Sequence, residues 1–115
     1  EYDLGWKPHV APRINLGWIR AIYKAHQELK RPFEVRCPVL VLHSERSVTN
    51  FSDEGQVRSR DAILKVNDIR RIARNIRGKV DVVAVPGGLH DLILSRKEVR
   101  EKVYQLVFEW LVRKD

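Results

Sequence analysis

The sequence predicts an α/β fold in which parallel β-strands alternate with helices. Two short apolar runs rich in β-branched residues, at 37–44 and 79–86, have the continuous pattern of strands that are covered on both faces. Segments whose apolar residues recur every three or four positions lie before, between and after these runs. The order helix–strand–helix–strand–helix predicts one parallel sheet with right-handed crossovers.

The first helix is predicted over residues 13–29. Its apolar residues repeat at helical spacing: Ile14, Trp18, Ile22, Ala25 and Leu29. The pair Arg31–Pro32 ends it, because proline disfavours helical geometry in the residue before it. Residues 1–12 have no clear period and contain Gly5, Pro8 and Pro12, so we expect an irregular arm there.

The second helix follows a polar stretch, residues 44–60, that predicts a long loop. Apolar residues then return at helical spacing: Ile63, Val66, Ile69, Ile72, Ala73 and Ile76. Asn67 or Asp68 would be a good N-terminal cap, and Gly78 would end the helix.

The last helix follows the second strand and a glycine-containing loop. Ser95 and Glu98 have the spacing of a capping box, in which the side chain of each residue accepts the backbone N–H of the other. The helical stripe that follows consists of Val99, Val103, Leu106, Val107, Trp110 and Leu111.

Composition limits the classes of function. The chain of 115 residues is long enough for one small domain, and its single Cys37 predicts a buried thiol and no internal disulfide. No apolar run approaches the roughly 18–20 residues of a membrane span, and the first residues lack a signal-peptide pattern, so we expect a cytoplasmic protein.

The net charge of +7 permits a second interpretation. Four arginines, Arg70, Arg71, Arg74 and Arg77, would form a basic face on the second helix, which is a feature of nucleic-acid-binding modules. No helix-turn-helix, zinc-finger or aromatic RNA-binding motif accompanies them, so we do not expect a nucleic-acid partner.

The sheet is expected to be incomplete. Two parallel strands make a poor sheet, because both faces need cover and both edges need protection. The chain begins at Glu1 and contains no methionine. We therefore expect a single partial domain spanning residues 1–115, completed by a missing N-terminal part of the same protein, with exposed sheet edges available for homo-oligomer formation.

Candidate catalytic residues follow the two strands, where parallel sheets gather their functional groups. The loop after the first strand contains four acids, Glu45, Asp53, Glu54 and Asp61, and the loop after the second carries His90. A carboxylate bonded to one imidazole nitrogen leaves the other nitrogen free to act as a base. Gly87 and Gly88 allow the sharp turn that would place His90 at the rim.

Three segments together resemble the C-terminal part of an α/β-hydrolase: "CPVLVLHSERS", "DAILKVNDIRRIA" and "VPGGLHDLILSRKEVREKVYQLVFEWL". The resemblance is to the serine aminopeptidase, monoacylglycerol lipase and lysophospholipase group, and it covers residues 37–111. It implies that residues 31–115 are the C-terminal part of the hydrolase core. More weakly, residues 1–30 resemble the end of a cap region and the helix that connects it to the core.

The resemblance implies an acid and a base of a catalytic triad. Many relatives place the acid where this chain has Ser47, but the apolar pattern that follows the acid stands here after Asp61. We therefore assign the acid to Asp61 and the base to His90, and treat residues 47–60 as an insertion. Asp53 and Glu54 stay open as alternatives. Asp91 is expected to be a loop or capping residue.

The implied function is hydrolysis of carboxylic esters or amides by a Ser–Asp–His triad in that chain order. None of the chain's serines lies in a G-x-S-x-G motif, so the nucleophile would lie outside the chain, and the chain alone would be inactive. The substrate would be a small acyl ester or lipid, with no cofactor and no metal. His9, His26 and His43 have no metal-ligand spacing and are expected to be structural.

The sequence also fits one alternative function, and the catalytic assignment sets one structural condition. A hydrolase-like protein that binds without catalysis fits the same sequence, because the nucleophile is not among these residues. The catalytic assignment depends on one contact: the Asp61 carboxylate and the His90 imidazole must meet at one rim of a shared sheet.

Overall fold

The computed structural model describes residues 13–113. The chain divides into two compact units, Glu1–Lys30 and Arg31–Asp115. The boundary between them falls at Lys30 and Arg31.

The first unit contains helix α1, Leu16–Leu29. Asn15 has an extended backbone, and its Oδ1 accepts the Trp18 N–H at 2.8 Å. This bond satisfies one of the donors that every helix leaves free at its start. The predicted helix is therefore confirmed, with its start three residues later than 13, and the predicted arm at 1–12 lies outside the described residues.

Over residues 31–113, the second unit contains four strands, three helices and one 3₁₀ turn. In chain order they are β1 (Phe33–Glu34), β2 (Val39–Ser44), α2 (Glu54–Val57), α3 (Val66–Ala73), β3 (Ile76–Arg77), β4 (Val80–Val85), the 3₁₀ turn Leu92–Leu94 and α4 (Lys97–Val112). The two predicted strands correspond to β2 and β4, and the last predicted helix corresponds to α4.

The strands pair in parallel, as predicted, but they form two sheets of two strands each. Strands β2 and β4 pair over six residues, from Val39 opposite Val80 to Ser44 opposite Val85. Strands β1 and β3 pair over two residues, with Phe33 opposite Ile76. The fold is thus a mixed α/β arrangement with short parallel strands.

Helices α3 and α4 cover opposite faces of the β2–β4 sheet. Side chains of a strand alternate between faces, so Leu42 and His43 point to opposite sides. Leu42 packs against the core cluster that contains Val103 of α4, whereas the His43 imidazole meets Arg70 of α3. These contacts assign one helix to each face of the sheet.

The α4 face holds the hydrophobic core of this unit. Val85, Leu92 and Val103 are buried there, and Leu42 and Val99 pack against them. Farther along α4, the Trp110 indole N–H donates to Asp81 Oδ2 at 2.6 Å, which satisfies a carboxylate on β4. The core and this bond together fix α4 along the strand that leads to His90.

The second helix ends earlier than the sequence pattern predicts. It runs Val66–Ala73 and not to Gly78, because the following residues pair with the segment around β1. The Phe33 N–H donates to Asn75 O at 2.9 Å and the Val35 N–H donates to Arg77 O at 3.0 Å. Ile76 has helical spacing but lies in a strand, because these long-range bonds outweigh a weak local preference.

The predicted basic helical face is wrong for the same reason. Arg77 lies in β3 and not on α3. Arg71 pairs with Asp68 at 2.8 Å, and Arg70 donates to His43 Nε2 at 3.5 Å and to Glu45 O at 3.5 Å. The arginines therefore do not line one continuous solvent-facing stripe.

The predicted capping box is also wrong. Arg96 occupies the N-cap position of α4 and makes no side-chain cap bond. Ser95, which is 4% exposed, instead accepts the Leu89 N–H through Oγ at 2.9 Å. The Ser95 hydroxyl therefore binds a half-buried amide of the preceding loop and does not cap the helix, as its spacing to Glu98 had predicted.

Burial differs from the sequence prediction at two places. Cys37 is exposed, because it precedes β2 in the connection from β1 and does not enter the sheet. Most residues of β2 and β4 are only half-buried, and Val82 is 44% exposed, because α3 covers only part of its face. Within residues 13–113, no helix combines the length and the apolar character needed to cross a bilayer.

Gly78 permits the close approach of β1 and β3. Its φ of 132° is unfavourable for other residues, and a Cβ there would lie 2.6 Å from the Val35 carbonyl oxygen. We expect Gly78→Ala to lower the free energy of unfolding by about 1–3 kcal/mol, measured by urea denaturation. Lys79→Ala, at an exposed position of the same turn, is the control and should change it by less than about 0.5 kcal/mol. Equal stability of the two variants would contradict this account.

Candidate active site

The site lies where β2 and β4 end. Because the two strands are parallel and in register, their carboxyl ends share one rim. The Glu45 N–H donates to Val85 O at 3.0 Å and keeps the strands paired to that rim. The loop after β2 delivers Asp61, and the loop after β4 delivers His90.

Main-chain bonds hold Asp61 beside the end of β2. The Asp61 N–H donates to Arg46 O at 2.9 Å, and the Val48 N–H donates to Asp61 O at 2.8 Å. These bonds form an isolated parallel bridge between Ser47 and Asp61. The 13 residues between them form an excursion that returns to the same rim, which explains how an acid so far along the chain reaches the end of this strand.

The Asp61 carboxylate is buried and fully engaged by hydrogen bonds. Its residue is 2% exposed. Oδ1 accepts the N–H groups of Ile63 at 2.8 Å and Leu64 at 2.7 Å. Oδ2 lies 3.0 Å from His90 Nδ1. The predicted contact between Asp61 and His90 is therefore present in the structure.

The surroundings of Asp61 favour its ionised form. Burial raises the pKa of this carboxyl, but three hydrogen bonds, from the Leu64 N–H, the His90 imidazole and the Ile63 N–H, oppose burial, and the pKa lies below its ordinary value. Asp61 is consequently a carboxylate at neutral pH. A carboxylate can only accept, so the bond to His90 is donated by Nδ1–H.

The loop that carries His90 is anchored on both sides. Gly87 has φ of 72°, and a Cβ on Gly88 would lie 2.5 Å from Leu92 Cδ2, so both turn positions require glycine. On one side of His90, the Leu89 N–H is held by Ser95; on the other, Leu92 is buried in the core. These contacts fix the main chain of the loop on both sides of His90.

The pair formed by Asp61 and His90, the dyad, is open to solvent only on the histidine side. The His90 side chain is 42% exposed and the Asp61 side chain 1%. With Nδ1–H bonded to Asp61, the lone pair of the neutral imidazole lies on Nε2. Among residues 13–113, no hydrogen bond involves that nitrogen. An imidazole held in this tautomer by a carboxylate can accept a proton at Nε2.

An apolar groove lies next to the dyad. It has a volume of about 460 Å³ and is lined by His90 and Asp91 together with Leu42, Leu92, Ile93, Val103 and Val107. The groove follows the α4 face of the sheet as far as the imidazole. A group lying in it would be placed beside the exposed edge of His90.

The alternative acids have other partners. Asp53 is the N-cap of α2, where its carboxylate accepts the N–H of Gln56 at 3.1 Å. That backbone bond is the main reason why the pKa of Asp53 lies below its ordinary value. Glu54 pairs with Arg58 at 3.3 Å on the surface. Asp91 accepts the Ile93 N–H at 3.3 Å and caps the 3₁₀ turn, as predicted for a capping residue.

The other histidines do not join the site. His43 is 3% exposed; its Nδ1–H donates to Ser44 O at 2.6 Å, and its Nε2 accepts from Arg70. This is the structural role predicted for it. His26 lies in α1, and His9 lies outside the described residues. Over residues 13–113, no three His, Cys, Asp or Glu side chains form a cluster that could hold a metal ion.

The serines within the described range do not meet His90. Three hydroxyls donate to main-chain carbonyls: Ser44 to Arg46 at 2.9 Å, Ser47 to Leu64 at 3.2 Å and Ser59 to Gly55 at 2.6 Å. The Ser95 hydroxyl holds Leu89, and Ser52 lies in the exposed turn before α2. The described residues therefore provide an acid and a base without a serine nucleophile.

The segment at 47–60 is more ordered than the predicted loop. Gln56 Oε1 accepts the Thr49 N–H at 3.1 Å, the Thr49 hydroxyl at 3.0 Å and the Asn50 N–H at 3.3 Å. The sequence contained a signal for this structure, because Asp53 and Gln56 have capping-box spacing. No local signal marked Ser47, whose partners Leu64 and Val66 are distant in sequence.

Comparison of the chain with protein-family models, with curated proteins and with solved structures found no match. The chemical interpretation of the site therefore depends on the positions of Asp61 and His90 and on the chemistry that such a pair supports.

Removal of the Asp61 charge should change the pH dependence of stability. The folded-state pKa of Asp61 is lowered, so its contribution is present above the unfolded pKa of about 3.9 and is lost as the pH falls through the folded value. As the pH is lowered below about 5, we expect the free energy of unfolding to fall less in Asp61→Asn than in wild type. Urea midpoints at successive pH values measure this.

Asp91→Asn is the matched control for this measurement, because Asp91 is exposed and lies next to His90 without bonding to it. It should retain the wild-type pH dependence. Equal pH dependence in Asp61→Asn and wild type would show that Asp61 is not the ionised, buried group described above.

Proposed function

We propose that this chain is the C-terminal part of a serine hydrolase of the α/β-hydrolase type, acting on carboxylic esters or amides. In this proposal Asp61 is the acid and His90 is the base of a Ser–Asp–His triad. The observation that carries the proposal is the 3.0 Å contact between Asp61 Oδ2 and His90 Nδ1 at the carboxyl rim of two parallel strands.

The chemistry follows from the hydrogen-bond directions. His90 Nε2 removes the proton of a serine hydroxyl as the serine oxygen attacks the substrate carbonyl. The positive charge that forms on the imidazole is stabilised by the Asp61 carboxylate. His90 then gives the proton to the leaving group. In the second half of the reaction it takes a proton from the water that attacks the acyl carbonyl, and it returns this proton to the serine oxygen as the acyl–serine bond breaks. These steps use no cofactor and no metal.

The nucleophile is proposed to come from polypeptide outside this chain. The serine hydroxyls at positions 44, 47, 59 and 95 are bonded to the main chain, and none in the described range contacts His90. Cys37 precedes β2, at the end of the strand away from the dyad. At about 3.3 Å per residue, the six residues of β2 separate that end from the rim by about 20 Å.

The partly open sheet supports the same proposal. Parallel sheets are covered on both faces, and two strands alone are marginally stable. Here Val82 is 44% exposed, and residues 31–113 leave the apolar groove beside His90 uncovered. Further polypeptide could cover the open part of the face that carries Val82, and polypeptide over the groove on the opposite face would bury the apolar side chains there and bring a serine to the exposed edge of His90.

The substrate class follows from the proposed triad and not from a defined pocket. A small acyl ester or lipid presents the carbonyl that this chemistry attacks. The apolar residues beside His90, including Leu42 and Val107, are compatible with an apolar neighbour on that side of the dyad.

The triad assignment is tested by hydrolysis of p-nitrophenyl butyrate by the natural protein that contains this chain. We expect His90→Ala and Asp61→Asn each to lower kcat by about 10³–10⁴-fold, because loss of either group removes the oriented base. Asp53→Asn is the control: Asn also caps a helix, so activity should stay within about twofold of wild type. A near-wild-type rate in either dyad variant would remove that residue from the triad.

The absence of a nucleophile is tested on the isolated chain of residues 1–115. We expect it not to be labelled by a fluorophosphonate, a reagent that reacts with activated serines, and not to hydrolyse the ester faster than its His90→Ala variant. The natural protein, assayed in parallel, is expected to be labelled. Hydrolysis by the isolated chain at the rate of the natural protein would contradict an external nucleophile, and an unlabelled, inactive natural protein would favour binding without catalysis.

A further inference from the structure

Ser47 connects the end of β2 to the segment that follows Asp61. It lies three residues after β2 and is half-buried. Its Oγ accepts the Val66 N–H at 2.8 Å and donates to Leu64 O at 3.2 Å. One hydroxyl therefore holds the main chain at two positions that are 17 and 19 residues away in sequence.

The same segment supplies the donors to the Asp61 carboxylate. Ile63 and Leu64 direct their N–H groups to Asp61 Oδ1. Leu64 is thus held from both sides: its N–H by Asp61 and its carbonyl oxygen by Ser47. A shift of this residue would weaken the bonds that occupy Oδ1 and would free the carboxylate to rotate.

Ser47 also begins α3. Lys65 occupies the N-cap position and makes no side-chain cap bond, and Val66, the first residue of the helix, is 4% exposed. An N–H at a buried helix start needs an acceptor. The Ser47 hydroxyl provides that acceptor from a distant part of the chain, so the start of α3 and the acid loop depend on the same side chain.

We propose that Ser47 is a positioning residue for Asp61. By fixing residues 64 and 66, it keeps two main-chain N–H groups on Oδ1 and leaves Oδ2 directed to His90 Nδ1. The catalytic consequence of this role rests on the proposed function, but the placement of the carboxylate does not. The main-chain bridge between Ser47 and Asp61 reinforces this placement, because both residues are already joined at the rim.

A purely structural role for Ser47 would give a different result. If Ser47 only capped α3, its loss would expose the Val66 amide and lower stability without changing the hydrogen bonds at Asp61. The titration of the Asp61 carboxyl therefore separates the two roles, since that group is sensitive to the Leu64 and Ile63 bonds.

The experiment compares Ser47→Ala and Ser47→Thr with wild type in the natural protein, using ¹³C-labelled aspartate. NMR follows the Asp61 carboxyl carbon against pH and the exchange of the Ile63 and Leu64 amides. In Ser47→Ala we expect the pKa of Asp61 to move upward towards its ordinary value and the two amides to exchange about tenfold faster. Ser47→Thr, which keeps the hydroxyl, should restore wild-type behaviour.

Ser59→Ala is the matched control. Ser59 lies in the same excursion, and its hydroxyl donates to Gly55 O at 2.6 Å, away from Asp61. It should leave the Asp61 titration unchanged. If Ser47→Ala does not fold, Ser47→Cys replaces it and is read in the same way, because sulfur is a weak acceptor at the same position.

An Asp61 titration equal to that of wild type in the variant without the hydroxyl would overturn the proposal and leave Ser47 as a helix cap. Kinetics give the second measurement: for p-nitrophenyl butyrate we expect kcat in Ser47→Ala to fall about tenfold with KM nearly unchanged. If the titration moves as expected but kcat does not, Ser47 still positions the carboxylate, and it is the proposed triad that fails.

Discussion

The buried carboxylate of Asp61 is the constraint on which the arrangement of the rim depends. A buried charge is tolerated only when hydrogen bonds replace its lost hydration. Here two main-chain N–H groups and one imidazole N–H provide that replacement. Each donor comes from a segment whose own position must be fixed. The burial of one carboxylate therefore constrains the turn after Asp61, the start of α3 and the glycine-containing loop after β4.

Polar side chains near this rim hold the main chain of the loops, over both long and short separations in sequence. Ser47 reaches the start of α3, Ser95 reaches the loop before it, and Gln56 gathers the first residues of the excursion. Main-chain groups at loops and helix ends need partners when they are shielded from water. The parallel strands bring these loops together, and the hydroxyls and amides make the loops rigid enough to carry an acid and a base.

The repeating patterns of apolar residues predicted the main elements well, because periodicity directly reflects burial. The predicted strands at 37–44 and 79–86 differ from the observed strands by at most two residues at either end. The pairing of Asp61 with His90 followed from the rule that parallel strands end at a common rim, together with a family resemblance. The predictions that failed depend on partners outside the element itself: α3 stops at Ala73 because later residues pair with β1, and Ser95 accepts the Leu89 N–H of the preceding loop rather than capping α4.

Water has access to only one side of the acid–base pair. The aspartate is enclosed by protein, whereas nearly half of the imidazole surface faces outward. Protons can therefore exchange with bulk solvent only through the outer edge of the ring. A molecule or protein segment that covers this edge would isolate the pair from the solvent. A proton released by a reacting group would then be held on the imidazole ring until another reacting group accepted it.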